Sequence, residues 1–268
     1  MLQKCDTGRN KLPLLSHVLL TVRYSSSRLP GKCLKVLGNL TVIEHVVQRV
    51  LSVGLNPIIC TSTDPSDDIV RAEAKRLAVK CFSGSLLNKL ERWSDCAAEY
   101  SLPYVHILDV DDPFFDTDEV KESIDQFLES DLDLLKTSPR SDSGFASVGM
   151  TISQRFLDIL VLRAQKLKGK DFDVIPWELI TETRDKIVIK QDKYLIDSEH
   201  VLRLTLDYPE DLELLDNLAA ALGPTAGRSE IENYLIENPN LIRINAHRNF
   251  DFLSNKKNKL AANFGIAK

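Results

Sequence analysis

Along the chain, short apolar runs alternate with longer stretches in which apolar residues recur every three or four positions. HVLLTV (17–22), PIICTST (57–63), VKCF (79–82) and YVHILDV (104–110) predict buried strands. The stretches 41–54, 66–78, 87–101 and 118–130 have helical spacing, and Ser66 is the expected N-cap of the second, with acids in the turn that follows. This alternation predicts an α/β fold with a mostly parallel sheet and helices on both faces. Beyond residue 131 the rhythm loosens. Residues 132–137 and 145–153 read as strands and 154–167 as a helix. The charged stretch 168–200, with one β-like run at 186–190, fits an inserted arm. HVLRLTL (200–206) predicts a return to a buried strand. Residues 209–223, with Pro209 in the first turn, and 229–239 predict helices. LIRIN (241–245) predicts a last short strand, and the basic residues 255–268 a mobile tail. In a parallel sheet, ligands bind at the carboxyl ends of the strands, so the chemistry is expected there.

Composition narrows the class. The 268 residues are 43% hydrophobic and 27% charged, enough for one large or two small domains with a sizeable core. A net charge of -5 argues against a general nucleic-acid binder. No apolar run is long enough to span a membrane, and the first residues lack the apolar segment of a signal peptide. The five cysteines are odd in number and form no CxxC pair, which fits reduced thiols in a cytoplasmic protein. The histidines show no zinc spacing.

Three strand-end segments carry candidate chemistry. The first is the loop 23–32, with Arg23, Arg28 and Lys32, three serines (Ser25, Ser26, Ser27) and Gly31. Residues 1–40 hold seven Lys/Arg and one acid in a chain that is acidic overall, so positive charge is concentrated here. Such a loop suits a polyphosphate or is a solvated basic loop. It is not a Walker A loop, because Ser26 and Cys33 stand where that pattern needs Gly and Ser or Thr. The second is Asp109-Val110-Asp111-Asp112, either a Mg²⁺ site or a capping loop before the next helix. The third is Asp207, either a helix cap or a second metal-binding carboxylate. A cationic loop with two separate strand-end acids makes up the parts of a metal-assisted reaction on a nucleotide.

In this order the segments resemble the cytidylyltransferases that make CMP-activated sugars, in particular the spore-coat polysaccharide type. Those enzymes are related to the CMP-ketodeoxyoctonate and CMP-sialate synthetases. Val22-Arg23-Tyr24-Ser25-Ser26-Ser27-Arg28-Leu29-Pro30-Gly31-Lys32 is similar to that family's A-R-x-G-S-x-R-L-P-G-K. TSTDPSDD (61–68), FSGSLLNKLERW (82–93), DVDDPFFD (109–116), RLTLDYPEDLELL (203–215) and ENPNLIRIN (237–245) also have counterparts, so the likeness spans 17–247. Ser25 and Val110 replace glycines of the family pattern, and Asn88-Lys89-Leu90 replaces Asp-Val-Leu.

The resemblance implies a three-layer nucleotide-diphospho-sugar transferase-like fold with a small protruding arm. It divides the chain into an extension at 1–16, a nucleotidyltransferase domain at 17–247 with an acceptor or dimer arm within 138–200, and a tail at 248–268. It implies transfer of CMP from CTP to an acidic or phosphorylated sugar with release of pyrophosphate, in a cytoplasmic homodimer. Arg23, Arg28 and Lys32 are expected on the triphosphate, with Ser26 and Ser27. Thr61, Ser62 and Ser85 are expected near the base or ribose, and Asp111 and Asp207 on Mg²⁺. Two other readings stay open: a glycosyltransferase using Asp109-Val110-Asp111 as its D-x-D, and a nucleotide-binding subunit that has lost turnover.

Overall fold

The computed structural model of the chain describes residues 16–136, 146–167, 169–190, 196 and 202–265. The expected extension falls outside these except for Ser16, and so do residues 138–145, 168, 191–195 and 197–200 of the expected arm. The strands are β1 (His17–Thr21), β2 (Val36–Leu37), β3 (Leu40–Thr41), β4 (Asn56–Ser62), β5 (Lys80–Gly84), β6 (Tyr104–Asp109), β7 (Leu134–Lys136), β8 (Met150–Ser153) and β9 (Ile187–Ile189). β2 and β3 form a small hairpin, and the other seven share one sheet in the order β5-β4-β1-β6-β8-β7-β9. β1 lies parallel between β4 and β6, with Thr21 opposite both Cys60 and Asp109. β8 runs antiparallel to β6 and β7, while β5 and β9 are parallel edge strands.

The central strand is apolar on both sides because both faces of the sheet are covered. Val18 and Leu20 belong to one core and Leu19 to the other, following the two-residue period of a strand. The first face is covered by α1 (Val42–Ser52), α2 (Asp68–Arg76), α4 (Thr117–Leu128), α7 (Pro209–Leu222) and α8 (Arg228–Glu237). The second is covered by α3 (Lys89–Glu99) and α5 (Gln154–Gln165), through Trp93, Cys96, Phe156 and Leu160. The described part of the expected arm returns to this second core. Phe172 and Ile180, the latter in the short α6 (Trp177–Ile180), are buried there, and β9 extends the sheet.

Four local expectations differ from the structure. Residues 202–207 are buried but form no strand. Their backbone is held by a loop: the Leu206 N–H donates to the Asp111 carbonyl at 2.7 Å, and Asn245 donates to the Arg203 carbonyl. LIRIN lies largely in a helical turn, α9 (Pro239–Arg243), because Pro239 starts a helix. Of the tail expected to be mobile, residues 255–264 belong to a 17-residue helix, α10 (Arg248–Phe264), and 266–268 lie outside the described residues. Ser66 is not the cap of α2. Asp64 accepts from the Ser66 N–H in a 3₁₀ turn that precedes the helix.

One glycine governs how β8 meets β6. Gly149 has φ +71°, and a Cβ there would lie 2.1 Å from the Ile107 carbonyl oxygen and 3.0 Å from the His106 ring. His106 is fully buried and bonded to Thr151 and the Val148 carbonyl, so it has no room to move aside. Gly149→Ala therefore combines a left-handed backbone penalty with overpacking and should destabilise the fold by roughly 1–3 kcal/mol or more. Urea unfolding of the two proteins measures this, and equal midpoints would refute it.

Candidate active site

A cavity of about 390 Å³ opens at the carboxyl ends of β1 and β6. The loop 22–32 forms one wall. Gly31 takes the left-handed conformation, φ 64°, at the start of a 3₁₀ turn, and a Cβ there would press on the Tyr24 ring. The Gly31 N–H closes the loop on the Tyr24 carbonyl, and Leu29 anchors it in the core. A buried carboxylate holds it from below: Asp67 accepts from the Tyr24 N–H at 2.7 Å and from the Ser62 N–H and hydroxyl. Ser25 lines the cavity without left-handed backbone, so a side chain is tolerated there.

Opposite charges from distant segments meet across this cavity. Lys32 Nζ donates to Asp111 Oδ2 at 2.5 Å, to Asp207 Oδ1 at 2.8 Å and to the Leu206 carbonyl at 2.8 Å. Arg28 reaches the same Asp207 oxygen at 2.5 Å, and Arg203 pairs with its other oxygen at 3.2 Å. Arg203 is in turn held by Asp211, which also accepts from the Asp207 and Tyr208 N–H groups. The segment 203–211 is thus a closed knot that presents Asp207 to the cavity. Burial works to raise the Asp207 pKa, but Lys32 and Arg28 outweigh it, and the carboxyl is held below its ordinary 3.8. Burial would lower the Lys32 pKa, yet Asp111 and Asp207 raise it.

A second set of pairs lies on the other side. Arg23 is bonded to Asp173, and Lys259 of α10 reaches Asp173 at 3.1 Å. Lys89, at the start of α3, reaches Asp109 at 3.3 Å. Asn88 caps α3 by accepting from the Leu90 and Glu91 N–H groups, so the substitution of the family Asp keeps the cap. Asp112 is buried, and its Oδ1 has no hydrogen-bond partner among the described residues. Burial, with Asp111 and Asp109 adding to it, pushes its pKa well up.

Of the residues singled out in the sequence, Arg23, Ser26, Ser27, Arg28, Lys32, Asp111 and Asp207 all line the cavity. Thr61, Ser62 and Ser85 do not. Thr61 and Ser62 are fully buried, and Ser62 is committed to Asp67, so this motif supports the loop from beneath. The Ser85 carbonyl is taken by Arg92 at 2.7 Å. Sequence reasoning gave no role to Lys89, Asp173, Trp177 or the α10 residues Phe252, Lys256 and Lys259, which line the cavity together with Asp112 of the second candidate segment. Lys89 and Asp112 lie inside quoted motifs, and their charge was a usable signal. Asp173 and α10 lie in stretches without a readable pattern.

Asp111 and Asp207 each place an oxygen on one ammonium, so a single cation can span them. Their hard oxygen donors suit Mg²⁺. Among the described residues no group of three or more His, Cys, Asp or Glu side chains could hold a metal, so other oxygens would have to complete its shell.

The sheet order, the two helical layers and the strand-end cavity define a nucleotide-diphospho-sugar transferase-like α/β fold. The profile of the cytidylyltransferase family matches residues 17–222, and the chain belongs to that family. The spore coat polysaccharide biosynthesis protein SpsF of Bacillus subtilis is 26% identical over 235 residues, covering 82% of this chain and 94% of that protein. A cytidylyltransferase structure from Leptospira borgpetersenii superimposes with a TM-score of 0.72 at 21% identity, covering 85% of this chain and 97% of the other. CMP:2-keto-3-deoxy-manno-octonic acid synthetase, solved in complex with CTP, gives 0.53 at 15% identity, over 77% of this chain and 99% of that one. No helix among the described residues is long and apolar enough to cross a membrane.

The charge knot sets a stability test. Asp207→Asn leaves Arg28, Lys32 and Arg203 facing a neutral amide, and breaking buried pairs of this kind costs roughly 3–5 kcal/mol. The native pKa is depressed, so the carboxylate contributes stability above its unfolded pKa and loses it as pH falls through the lower, folded value. The gap in unfolding free energy between wild type and Asp207→Asn should be full at pH 7 and should shrink below about pH 4. A gap that is constant with pH would refute this account.

Proposed function

We propose that this chain transfers CMP from CTP to an acidic or phosphorylated sugar, with Mg²⁺, and releases pyrophosphate. The observation that carries the reading is the meeting in one cavity of Arg23, Arg28 and Lys32 with Asp111 and Asp207, Lys32 lying between the two acids. Membership of the cytidylyltransferase family supports it, as does the CTP complex of the structural relative.

In this reading an acceptor oxygen attacks the α-phosphorus of CTP. A new P–O bond forms, the bond to the bridging oxygen breaks, pyrophosphate leaves, and the acceptor's proton passes to water. The chain's own contribution is positioning and charge neutralisation. A triphosphate competes with Asp207 and Asp111 for Arg28 and Lys32, and as these cations turn to phosphate the two carboxylates are released. Asp111 and Asp207 would hold Mg²⁺, which neutralises charge on the phosphates when bound. Ser26 and Ser27 orient the same phosphates from the loop. On the far side of the cavity Arg23, Lys89 and Lys259 outnumber Asp173 and Asp109.

Lys32→Met keeps the bulk of the side chain and removes its charge. It should weaken CTP binding about ten-fold or more, the loss of one charge-assisted contact of roughly 1.5–3 kcal/mol. Calorimetric titration with CTP measures it, and unchanged affinity would remove Lys32 from the triphosphate site. Asp111→Asn should raise the Mg²⁺ concentration needed for half-maximal pyrophosphate release. Superimposable Mg²⁺ titrations would show that Asp111 holds no metal. Absence of pyrophosphate release from CTP with every acidic and phosphorylated sugar in a panel would overturn the reaction itself.

A further inference from the structure

Helix α10 lies beyond the residues matched by the family profile, yet it sends Phe252, Lys256 and Lys259 into the cavity. Their spacing of four and three residues puts them on one face of the helix. α10 is fastened at both ends. Towards its start, Arg248 pairs with Glu210 of α7 at 2.8 Å, and Asn255 donates to the Tyr208 hydroxyl at 3.0 Å. At its end, Asn263 bonds the backbone of Asp171 in both directions, and the Phe264 ring meets Phe172 edge-on at 5.3 Å. The helix therefore spans from the Asp207 side of the cavity to the Asp173 side.

Along this span it touches both arginine sites of the basic loop. The Arg28 guanidinium lies 5.8 Å from the centre of the Phe252 ring and 5.7 Å from that of Tyr208. Arg203, the other arginine on Asp207, lies 4.8 Å from Phe252 and 5.5 Å from Tyr208. The two rings thus form an aromatic wall for both arginines on Asp207, within the range where a ring face attracts a guanidinium. At the other end Lys259 pairs with the carboxylate that holds Arg23.

We infer that α10 is a working part of the phosphate grip: Phe252 is a positioning residue for Arg28, and Lys259 is one for Arg23 through Asp173. Arg28 ends a long flexible side chain, and without the Phe252 ring it is aimed only by the Tyr208 ring and by Asp207, the group it must leave when phosphate arrives. The ring attracts the cation without competing for the direction in which phosphate binds. Arg28 is thereby held near the cavity in the empty and the loaded states, and less conformational entropy is lost on binding. At Asp173 the Lys259 ammonium shares the carboxylate with Arg23, so Arg23 is held in place but remains available to a stronger anion. This inference rests on the proposed CTP reaction for its substrate, but its geometry stands apart from it.

The experiment compares wild type, Phe252→Leu, Phe252→Trp, Arg28→Ala and the Phe252→Leu/Arg28→Ala double variant. Calorimetric titration with CTP should show a loss of affinity of about five-fold in Phe252→Leu. Phe252→Trp, which keeps an aromatic face, should restore most of it. The Phe252→Leu loss should vanish in the Arg28→Ala background, which a merely structural role of Phe252 would not produce. Independently of any nucleotide, phenylglyoxal should label Arg28 several-fold faster in Phe252→Leu than in wild type, read by mass spectrometry of the peptide. An equal loss in both backgrounds, or an unchanged labelling rate at Arg28, would overturn the inference. If wild type binds no CTP, the proposed function fails, and the labelling rates still decide the role of Phe252. For the other end, Lys259→Met should slow labelling of Arg23, because Asp173 then loses the cation that competes with Arg23, with Lys259→Arg close to wild type. Equal rates in all three proteins would remove Lys259 from that role.

Discussion

The arrangement at the cavity depends on one charge balance: the Lys32 ammonium held between the Asp111 and Asp207 carboxylates. These residues come from three segments far apart in the chain; Asp207 is buried, Lys32 largely so, and Asp111 is partly exposed. Two carboxylates this close repel unless a cation lies between them, and a buried ammonium is unfavourable without acids around it. Each residue is therefore tolerable only in the company of the others. The loop after β1, the loop after β6 and the segment before α7 are drawn to one point by this requirement.

The surrounding structure keeps that point in place from behind. Asp67 supports the basic loop through the Tyr24 N–H, so a buried acid in the second motif acts on the first. Asp211 plays the same part for Asp207, fixing Arg203 and two backbone N–H groups at once. Supporting carboxylates beneath the cavity-facing ones account for part of the acidic charge gathered around the basic loop. Those that face the cavity are paired with its cations or, like Asp112, driven toward the neutral form.

The same balance connects the static structure to the reaction proposed for it. A triphosphate and a divalent ion bring the same signs of charge that the protein already pairs internally. Binding then exchanges partners within one network and does not have to create a new one. The aromatic wall of Tyr208 and Phe252 fits this exchange, because it attracts Arg28 whether the cation faces carboxylate or phosphate.

Much of this was legible in the sequence by itself. The period of apolar residues showed the parallel sheet and its covering helices, since a strand buried on both faces must be apolar throughout, as HVLLTV is. The clustering of Arg23, Arg28 and Lys32 at a strand end, and the acids at 111 and 207, marked the cavity, because charge at the end of a buried strand needs a purpose or a partner. What tertiary structure alone decided was which groups face inward and which hold others. HVLRLTL reads as a strand from its apolar alternation, but its described residues are paired to the Asp111 loop and not to a strand, and no local pattern encodes that partner. Thr61 and Ser62 sit at the end of β4 as expected, yet both are buried, and Ser62 serves Asp67. Helix α10 carries too many polar residues to announce a buried face, and its place over the cavity follows from single contacts to Glu210, Tyr208, Asp171 and Phe172, far away in the chain. Periodicity reports what an element buries on average. The partner of one particular charge depends on distances that exist only once the chain has closed on itself.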